Sequence, residues 1–222
     1  MNNIKKIGII GGSGSLGFAL ANRLIKERFK VMIGSRSPEK VISKIGEIDK
    51  DLGVQNLKVQ GIVQTARESE LIFLTVPFSA HHKTVSEIKP FVQGKIVVDT
   101  TVPLVPPKVA RVQLPDSGCV ARMTQETLGD DVHVVSALHN VAATELAKSQ
   151  TTDVEVMVFG NNKEARETVI QLISKISLKG WHCGSIDNAV VAESLTPVLI
   201  FMNKFYNFNG SGIKIVDGTI TK

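Results

Sequence analysis

IGIIGGSGSLG, residues 7–17, is the stretch that decides the fold. An apolar run leads into a turn that holds four glycines within seven positions, and a helical stripe follows at Leu16, Leu20 and Leu24. The pattern predicts a strand, a tight turn and a helix. Residues 12–17 fit G-x-G-x-x-G, in the strand–turn–helix context in which that motif binds a dinucleotide. We therefore expect a turn without side chains, so that a ligand can approach the backbone.

Each glycine of the motif has a separate predicted role. Gly12 allows the tight turn, Gly14 removes a Cβ where the pyrophosphate approaches, and Gly17 lets the helix pack closely on the sheet. Backbone N–H groups at the start of the helix then face the phosphates. A glycine-rich turn that binds nothing is the alternative. The residues predicted to bind the cofactor here are Gly12, Ser13, Gly14, Ser15, Leu16 and Gly17.

The end of the second predicted strand, KVMIG at residues 30–34, indicates which dinucleotide binds. NAD sites carry Asp or Glu about 20 residues after the glycine turn, where the carboxylate bonds the ribose 2′-hydroxyl. Here no carboxylate precedes Glu39, and Arg36 lies between two serines. This favours NADP, because a 2′-phosphate needs cationic and hydroxyl donors. A solvated surface arginine is the alternative. The residues expected at the 2′-phosphate are Ser35, Arg36, Ser37 and Lys40.

Strand and helix signals alternate along most of the 222 residues, which predicts parallel strands joined by crossover helices. The expected fold class is α/β: a Rossmann-type doubly wound parallel sheet with a small C-terminal α/β portion that ends in a long buried helix. The regular pattern changes near residue 150. We expect an NADP-binding Rossmann domain over residues 1–150 and a smaller domain over residues 151–222 that closes the acceptor pocket.

Three segments carry specific structural expectations. KVQGIV, residues 58–63, predicts a short edge strand, and residues 38–48 predict a helix that opens at a proline. Residues 188–208 predict the long helix, which is apolar almost all round and should therefore be buried. Pro197 should bend it and expose polar groups in an apolar wall. A kinked core helix, or one buried in a homodimer, is the alternative to a ligand-facing surface.

Composition excludes several classes of function. The formal charge of +5 comes from cations spread along the chain, which argues against nucleic acid as a partner. Two cysteines without metal-ligand spacing predict neither a metal site nor disulfides. We see no signal peptide and no membrane-spanning run, so we expect a cytoplasmic protein without membrane contact.

Two later strand ends should also lie beside the ligand, because open α/β sheets bind ligands beyond the carboxyl ends of their strands. LTVPF, residues 74–78, places Val76 and Pro77 next to the cofactor. The same argument applies to DTTVPLVPP, residues 99–107. A simple strand stop is the alternative at both places.

The ordered set of motifs resembles one family, the NADP-dependent reductases of the deazaflavin coenzyme F-420. The glycine turn, GSR at 34–36 and LTVP at 74–77 carry the first part of the resemblance. VPLVP at 102–106, VVSALHNVAA at 134–143 and AESLTPVLIFMNKF at 192–205 make it specific and extend it nearly end to end. Ala142 departs from a proline frequent in the family, and the segment around 108–131 matches loosely.

The resemblance implies NADP and coenzyme F-420 as the two bound molecules, with hydride passing directly between their stacked rings. It implies no catalytic side chain and a C-terminal portion that helps close the deazaflavin pocket. Separately from the resemblance, we expect a homodimer. By position in the family, Val76 and Pro77 line the nicotinamide side. The residues that the resemblance places around the deazaflavin are Val102, Leu104, His139, Asn140, Val141, Ser194, Leu195 and Thr196.

The residues themselves agree with that chemistry, since hydride transfer between two cofactors needs orientation and water exclusion rather than acid–base groups. His139 is the best polar candidate, able to bond a ring carbonyl or a phosphate. His81 and His82 are expected at a solvated helix start. Two alternatives remain open: an NADPH-dependent reductase of a flavin, imine or ketone, and a non-catalytic NADP-sensing domain. An imine or ketone reductase would need a proton donor, for which His139, Asp187 or Tyr206 are the candidates.

Overall fold

The computed structural model describes residues 4–45, 54–148 and 153–217, and within them a single eight-stranded sheet runs through the chain. The strand order is β3-β2-β1-β4-β5-β6-β7-β8. Strands β1 to β6 are parallel, β7 is antiparallel to β6, and β8 is parallel to β7. The strands are β1 Lys6–Ile10, β2 Lys30–Gly34, β3 Leu57–Gln60, β4 Leu71–Leu74, β5 Ile96–Asp99, β6 His133–Ser136, β7 Glu155–Gly160 and β8 Lys179–His182.

Helices cover both faces of the sheet, as parallel strands require. One buried cluster joins α1, α2, α6 and α7 to the sheet, and a second joins α3, α4, α5 and the start of α8 to the opposite face. The helices are α1 Ser15–Lys26, α2 Pro38–Ile45, α3 Ile62–Glu68, α4 Phe78–Ile88, α5 Val120–Leu128, α6 Ala143–Ala147, α7 Lys163–Lys175 and α8 Ala189–Tyr206.

The central strands explain the continuous apolar runs of the sequence. β4 and β5 are buried along their whole lengths because a parallel strand is covered on both faces. β1 lies between β2 and β4, so the chain leaves it first in one direction and later in the other. A crevice opens at such a switch point, at the carboxyl ends of the strands. The expected doubly wound fold is confirmed.

The predicted strand at residues 58–63 is half wrong. β3 is an edge strand and ends at Gln60, while Gly61 precedes a helix, α3, that the sequence pattern did not predict. Only seven residues long, α3 is too short for a clear apolar periodicity.

The last part of the helix predicted over 38–48 lies outside the described residues, as does the domain boundary at 150/151. Strands β7 and β8 extend the same sheet as the strands before them.

Helix α8 is continuous through Pro197, but the expectation that it is buried all round is wrong. Ala189, Ala192 and Glu193 face the core, whereas Phe201 and Phe205 are more than half exposed. The exposed side is nevertheless apolar, which is why the sequence pattern alone predicted burial. None of the described helices combines the length and the apolar content that a membrane crossing requires.

Candidate functional site

A cavity of about 750 Å³ lies at the carboxyl ends of β1, β2, β4, β5 and β6. It extends from the glycine turn after β1 to the loop after β6, with Thr196 of α8 in its wall. The sequence-predicted residues that line it are Ser13, Gly14, Ser15, Leu16, Ser35, Arg36, Ser37, Lys40, Val76, Pro77, Val102, Leu104, His139, Val141 and Thr196. The structure thus brings both predicted binding regions to one continuous space.

Five predicted residues are not part of the cavity lining: Gly12, Gly17, Asn140, Ser194 and Leu195. Gly12 and Gly17 serve packing, because a Cβ at either would lie within 2.8 Å of Ile33 or of Thr75. Asn140 is 1% exposed and donates to the Glu155 carbonyl at 2.6 Å, so its amide fixes the loop after β6. Leu195 packs against the core beneath α8.

The tight turn is made by Gly11, one position before the predicted glycine. Gly11 has a φ of +90°, a region that side chains disfavour, whereas Gly12 is not among the residues with positive φ. The Gly11 amide donates to the Gly34 carbonyl and its own carbonyl accepts from the Gly14 amide, both at 3.0 Å. A Cβ at Gly11 would lie 2.7 Å from the Thr75 carbonyl oxygen. The turn is therefore held between β1, β2 and β4.

Gly14 differs from the other glycines of the turn. A Cβ there would meet only the Gly11 carbonyl oxygen, at 3.4 Å, which is an ordinary contact. The protein itself does not require glycine at this position, so the open space is available to a ligand. Gly14 precedes α1, whose first turn has neither a side-chain cap nor an acidic residue. Its N–H groups and the positive end of the helix dipole suit an anion such as a pyrophosphate.

The loop after β2 supplies the cationic end of the cavity. Ser35 is buried and its hydroxyl accepts the Ser37 amide at 3.1 Å, which shapes the turn. Arg36 and Lys40 are exposed and line the cavity, and no carboxylate is among the described lining residues. This composition fits the 2′-phosphate of NADP and lacks the acidic group that an NAD ribose would bond.

The opposite wall follows β4 and β5 and contains residues that the sequence argument did not name individually. The Thr75 hydroxyl donates to the Ile10 carbonyl and the Thr100 hydroxyl to the Leu74 carbonyl, each at 3.0 Å. These bonds tie neighbouring strand ends together where the cavity opens. Their position directly after buried strands is the sequence signal that could have identified them as lining residues. The additional lining residues are Gly11, Gly34, Ile62, Thr75, Phe78, Ala80, Thr84, Thr100, Thr101, Leu138 and Ala143.

His139 lies in the cavity wall and is 6% exposed. Neither ring nitrogen makes a hydrogen bond within the described residues. Burial lowers the His139 pKa to about 4. The charge of Asp99 and the nearby Thr101 backbone act in the opposite direction and raise the pKa, although the Thr101 backbone does not form a regular hydrogen bond with the ring. The imidazole is therefore neutral at pH 7. It has one donor and one acceptor nitrogen, and both are buried rather than exposed in the cavity.

Helix α8 is fixed against the cavity by a buried carboxylate. Glu193 accepts the amides of Val120 and Ala121, at 2.7 and 3.0 Å, and so caps the start of α5 from another helix. Burial raises the Glu193 pKa to about 8, while these two amides favour the ionised form. Three residues later, the Thr196 hydroxyl donates to the His139 carbonyl at 2.8 Å. The predicted acceptor wall is thus held by two contacts of α8.

The expectation of a solvated pair at residues 81 and 82 is wrong for His81. His82 is exposed, but His81 is 1% exposed and bonds Asp99 at 2.9 Å. Of the other proton-donor candidates, Tyr206 is 57% exposed at the end of α8, and Asp187 pairs with Arg122 at 3.4 Å. Neither lines the cavity. Within the described ranges, no group of three His, Cys, Asp or Glu side chains is arranged to hold a metal ion.

Comparison with known proteins agrees with this geometry. The family model described as NADP oxidoreductase, coenzyme F-420-dependent, matches residues 6–103. The F-420-dependent NADP reductase of Methanocaldococcus jannaschii is 36% identical over 222 aligned residues, which cover 96% of this chain and 98% of that protein. This chain belongs to the F-420-dependent NADP reductase family. The resemblance drawn from the sequence motifs is confirmed.

Other members and a solved structure extend the likeness over the whole chain. The F-420-dependent NADP reductase of Methanothermobacter marburgensis is 30% identical, with 96% of this chain and 98% of that protein covered. A crystal structure from Arthrobacter sp. FB24, described as an F-420-dependent NADP-reductase, superposes with a TM-score of 0.82. It covers 97% of this chain and 100% of that chain at 21% identity, a level that supports the shared fold alone.

Proposed function

We propose that this member of the F-420-dependent NADP reductase family transfers hydride between NADP(H) and coenzyme F-420. The observation that carries the proposal is the continuity of one cavity from the glycine turn and Arg36 to the apolar wall at Val102, Leu104 and Val141. A dinucleotide and a second flat ring can share that space. Its volume of about 750 Å³ is at the upper end of the usual range for ligand pockets.

The chain's own residues supply binding, orientation and the exclusion of water. The turn at Gly14 and the start of α1 would bind the pyrophosphate, and Ser35, Arg36, Ser37 and Lys40 would bind the 2′-phosphate. Apolar residues at Val76, Pro77 and Leu104 would shield the rings from water. When both molecules are bound, the nicotinamide and the deazaflavin supply the hydride donor and acceptor themselves. His139 would bond a ring carbonyl only after its side chain rotates toward the cavity, because both of its ring nitrogens are buried.

The alternatives have weaker support. Reduction of an imine or ketone needs a proton donor, and of the three candidates only His139 lines the cavity. A neutral imidazole with a pKa of about 4 is a poor store for that proton at pH 7. A non-catalytic NADP sensor has no use for a second apolar wall beside the nicotinamide side.

The direct test is the deazaflavin absorbance of a mixture of the protein, NADPH and coenzyme F-420. Bleaching of the band supports the proposal, and oxidation of NADPH with a flavin alone would contradict it. Thr196→Val should raise the KM for coenzyme F-420 several-fold, because the loop that carries His139 loses an anchor. Thr168→Val is the matched control. The hydroxyls of Thr196 and Thr168 each bond the carbonyl four residues earlier, but Thr168 lies exposed on α7.

We keep the two-part organisation as a proposal, with residues 1–150 binding NADP and residues 151–222 closing the acceptor side. Thr196 is the lining residue that the second part contributes. A cytoplasmic location likewise stays a prediction from the sequence.

We also propose that the protein forms a homodimer through α8. Phe201 stacks on Phe205 with 5.8 Å between ring centroids, and Tyr206 and Phe208 extend the aromatic series at 4.9 and 5.4 Å. All four are more than half exposed. Aromatic side chains are enriched at interfaces, and a twofold axis would pair this helix with its own copy. Light scattering should give a dimer for the protein and a monomer for Phe205→Glu, with Lys83→Glu unchanged. A monomeric unaltered protein would contradict the proposal.

A further inference from the structure

Three buried polar side chains from three different elements meet behind the cavity wall. They are His81 of α4, Asp99 at the end of β5, and Thr124 of α5, and none is more than 1% exposed. His81 Nε2 lies 2.9 Å from Asp99 Oδ2 and 2.8 Å from the Thr124 hydroxyl. The Thr124 hydroxyl also bonds Asp99 Oδ2, and Asp99 Oδ1 accepts the Thr101 amide at 2.9 Å. The proposed hydride transfer assigns this cluster no role.

The hydrogen-bond pattern fixes where the protons lie. Asp99 can only accept from His81, so His81 carries its proton on Nε2 and shares it between Asp99 and Thr124. Nδ1 of His81 is buried and makes no hydrogen bond within the described residues. A second proton there would bury a charged N–H without a partner, which is costly. The hydrogen bonds thus make the Asp99 carboxylate the shared acceptor of the cluster and the bearer of its negative charge.

The surroundings of Asp99 keep that charge in place. Burial works against ionisation of Asp99, but the hydrogen bond and the electrostatic attraction of His81, together with the bonds from Thr124 and the Thr101 amide, hold its pKa below the usual value. His139, the ionisable group of the nearby wall, is neutral at pH 7 and does not cancel the charge. Glu193, the other buried carboxyl group on this face, accepts two backbone amides of α5. A carboxyl group supplies no positive charge that could compensate the charge of Asp99.

The cavity consequently has an electrostatic gradient along its length. Its cations, Arg36 and Lys40, follow β2, while Thr100, Thr101 and Val102 follow directly after Asp99. Strands β2 and β5 are three strand spacings apart in the sheet, or about 14 Å. Positive charge therefore lies at the end proposed for the 2′-phosphate. A buried negative charge lies behind the end proposed for the nicotinamide.

We propose that Asp99 stabilises the oxidised, positively charged nicotinamide relative to the neutral reduced ring, and so sets the relative affinity of the site for NADP+ and NADPH. The inference rests on the proposed NADP site. Asp99 does not line the cavity, whereas Thr100 and Thr101, which follow it, do. It would act through its field and by holding the Thr101 backbone. The two redox states differ only at the nicotinamide, because the phosphates are the same in both, so a charge near the proposed nicotinamide end would discriminate between them.

The expected size follows from Coulomb's law. Two unit charges on the order of 10 Å apart, at an effective dielectric constant of about 20, change a binding constant by about tenfold. The effect should fall on NADP+ and leave NADPH nearly unchanged.

The test is direct binding of each nucleotide, measured by calorimetry or by NADPH fluorescence without coenzyme F-420. In Asp99→Asn the ratio of the NADP+ Kd to the NADPH Kd should rise about tenfold, through loss of the charge. Thr124→Val keeps the carboxylate and should leave the ratio within about twofold of the unaltered protein. Ala80→Asp adds a carboxylate to the wall at the start of α4 and should lower the ratio. This reciprocal variant decides the matter if Asp99→Asn does not fold.

The outcomes separate the two proposals. An unchanged ratio in a folded Asp99→Asn protein that binds both nucleotides would overturn the role of Asp99 and leave the proposed function intact. A ratio that stays constant or rises in Ala80→Asp would overturn it as well. If the unaltered protein binds neither nucleotide, the proposed function itself fails.

Discussion

Two alanine substitutions should separate folding from cofactor binding. Gly17→Ala should lower the stability of the fold, whereas Gly14→Ala should weaken cofactor binding. At Gly17 a Cβ would lie 2.6 Å from Thr75 Oγ1 and 2.7 Å from Gly12 Cα, so backbone must move. Such overpacking costs about 1–3 kcal/mol, and the better helix propensity of alanine returns about 1 kcal/mol. A net loss of up to about 2 kcal/mol should lower the melting temperature of a chain of this size by up to about 8 °C.

Gly14→Ala should leave the unliganded fold nearly unchanged. The new Cβ makes one ordinary contact, and the backbone at φ −76° and ψ 161° suits any residue. Loss of glycine at the helix cap and the lower entropy of the unfolded chain oppose each other and are each about 0.5–1 kcal/mol. The methyl group instead occupies space next to the proposed pyrophosphate. Loss of one charged hydrogen bond there should raise the Kd for NADPH about 10- to 100-fold.

Thermal melting with and without NADPH measures both effects. A ligand at 100 times its Kd stabilises the folded state by about 2.7 kcal/mol, which corresponds to about 5–11 °C here. Gly17→Ala should melt earlier but retain most of that shift, whereas Gly14→Ala should melt normally and lose most of it. Equal unliganded destabilisation by the two substitutions, or a full NADPH shift in Gly14→Ala, would refute the distinction between the packing glycine and the binding glycine.

Three further predictions concern single side chains. Arg36→Glu should raise the Kd for NADP+ at least about tenfold more than the Kd for NAD+, since only NADP+ carries the 2′-phosphate; equal losses in calorimetry would contradict the assignment. His139 has a folded pKa of about 4, below that of the unfolded chain, so stability should fall as the pH drops from about 6.5 to 4, by about 3 kcal/mol. Denaturant titrations of His139→Asn should lack this acid-dependent loss. Arg23 donates to the carbonyls of Leu146 and Ile176, at 2.7 and 2.6 Å, and its replacement by Met should cost about 3 kcal/mol of unfolding free energy without changing NADPH affinity.

The sequence predicts the parts of the site that backbone and exposed charge create. The glycine turn, the serines around Arg36 and the strand ends at Val76 and Val102 each follow from local patterns, and each lies in the cavity wall. The position of the tightest turn was off by one residue. Neighbouring glycines look alike in a sequence, whereas only the strands on both sides decide which one takes a positive φ.

Buried polar groups could not be predicted in the same way, and they show a common physical limit. The sequence pattern indicates solvent for His81 and identifies no buried partner for Asp99 or Glu193, yet each of the three is about 1% exposed. Their burial is tolerated only because donors from α4 and α5 converge on the carboxylates, over separations of 18 to 73 residues. A short pattern contains no information about partners that distant. The charge that we propose to discriminate between the nicotinamide redox states thus depends on tertiary packing alone, which is why calorimetry of Asp99→Asn, rather than any further motif, can establish it.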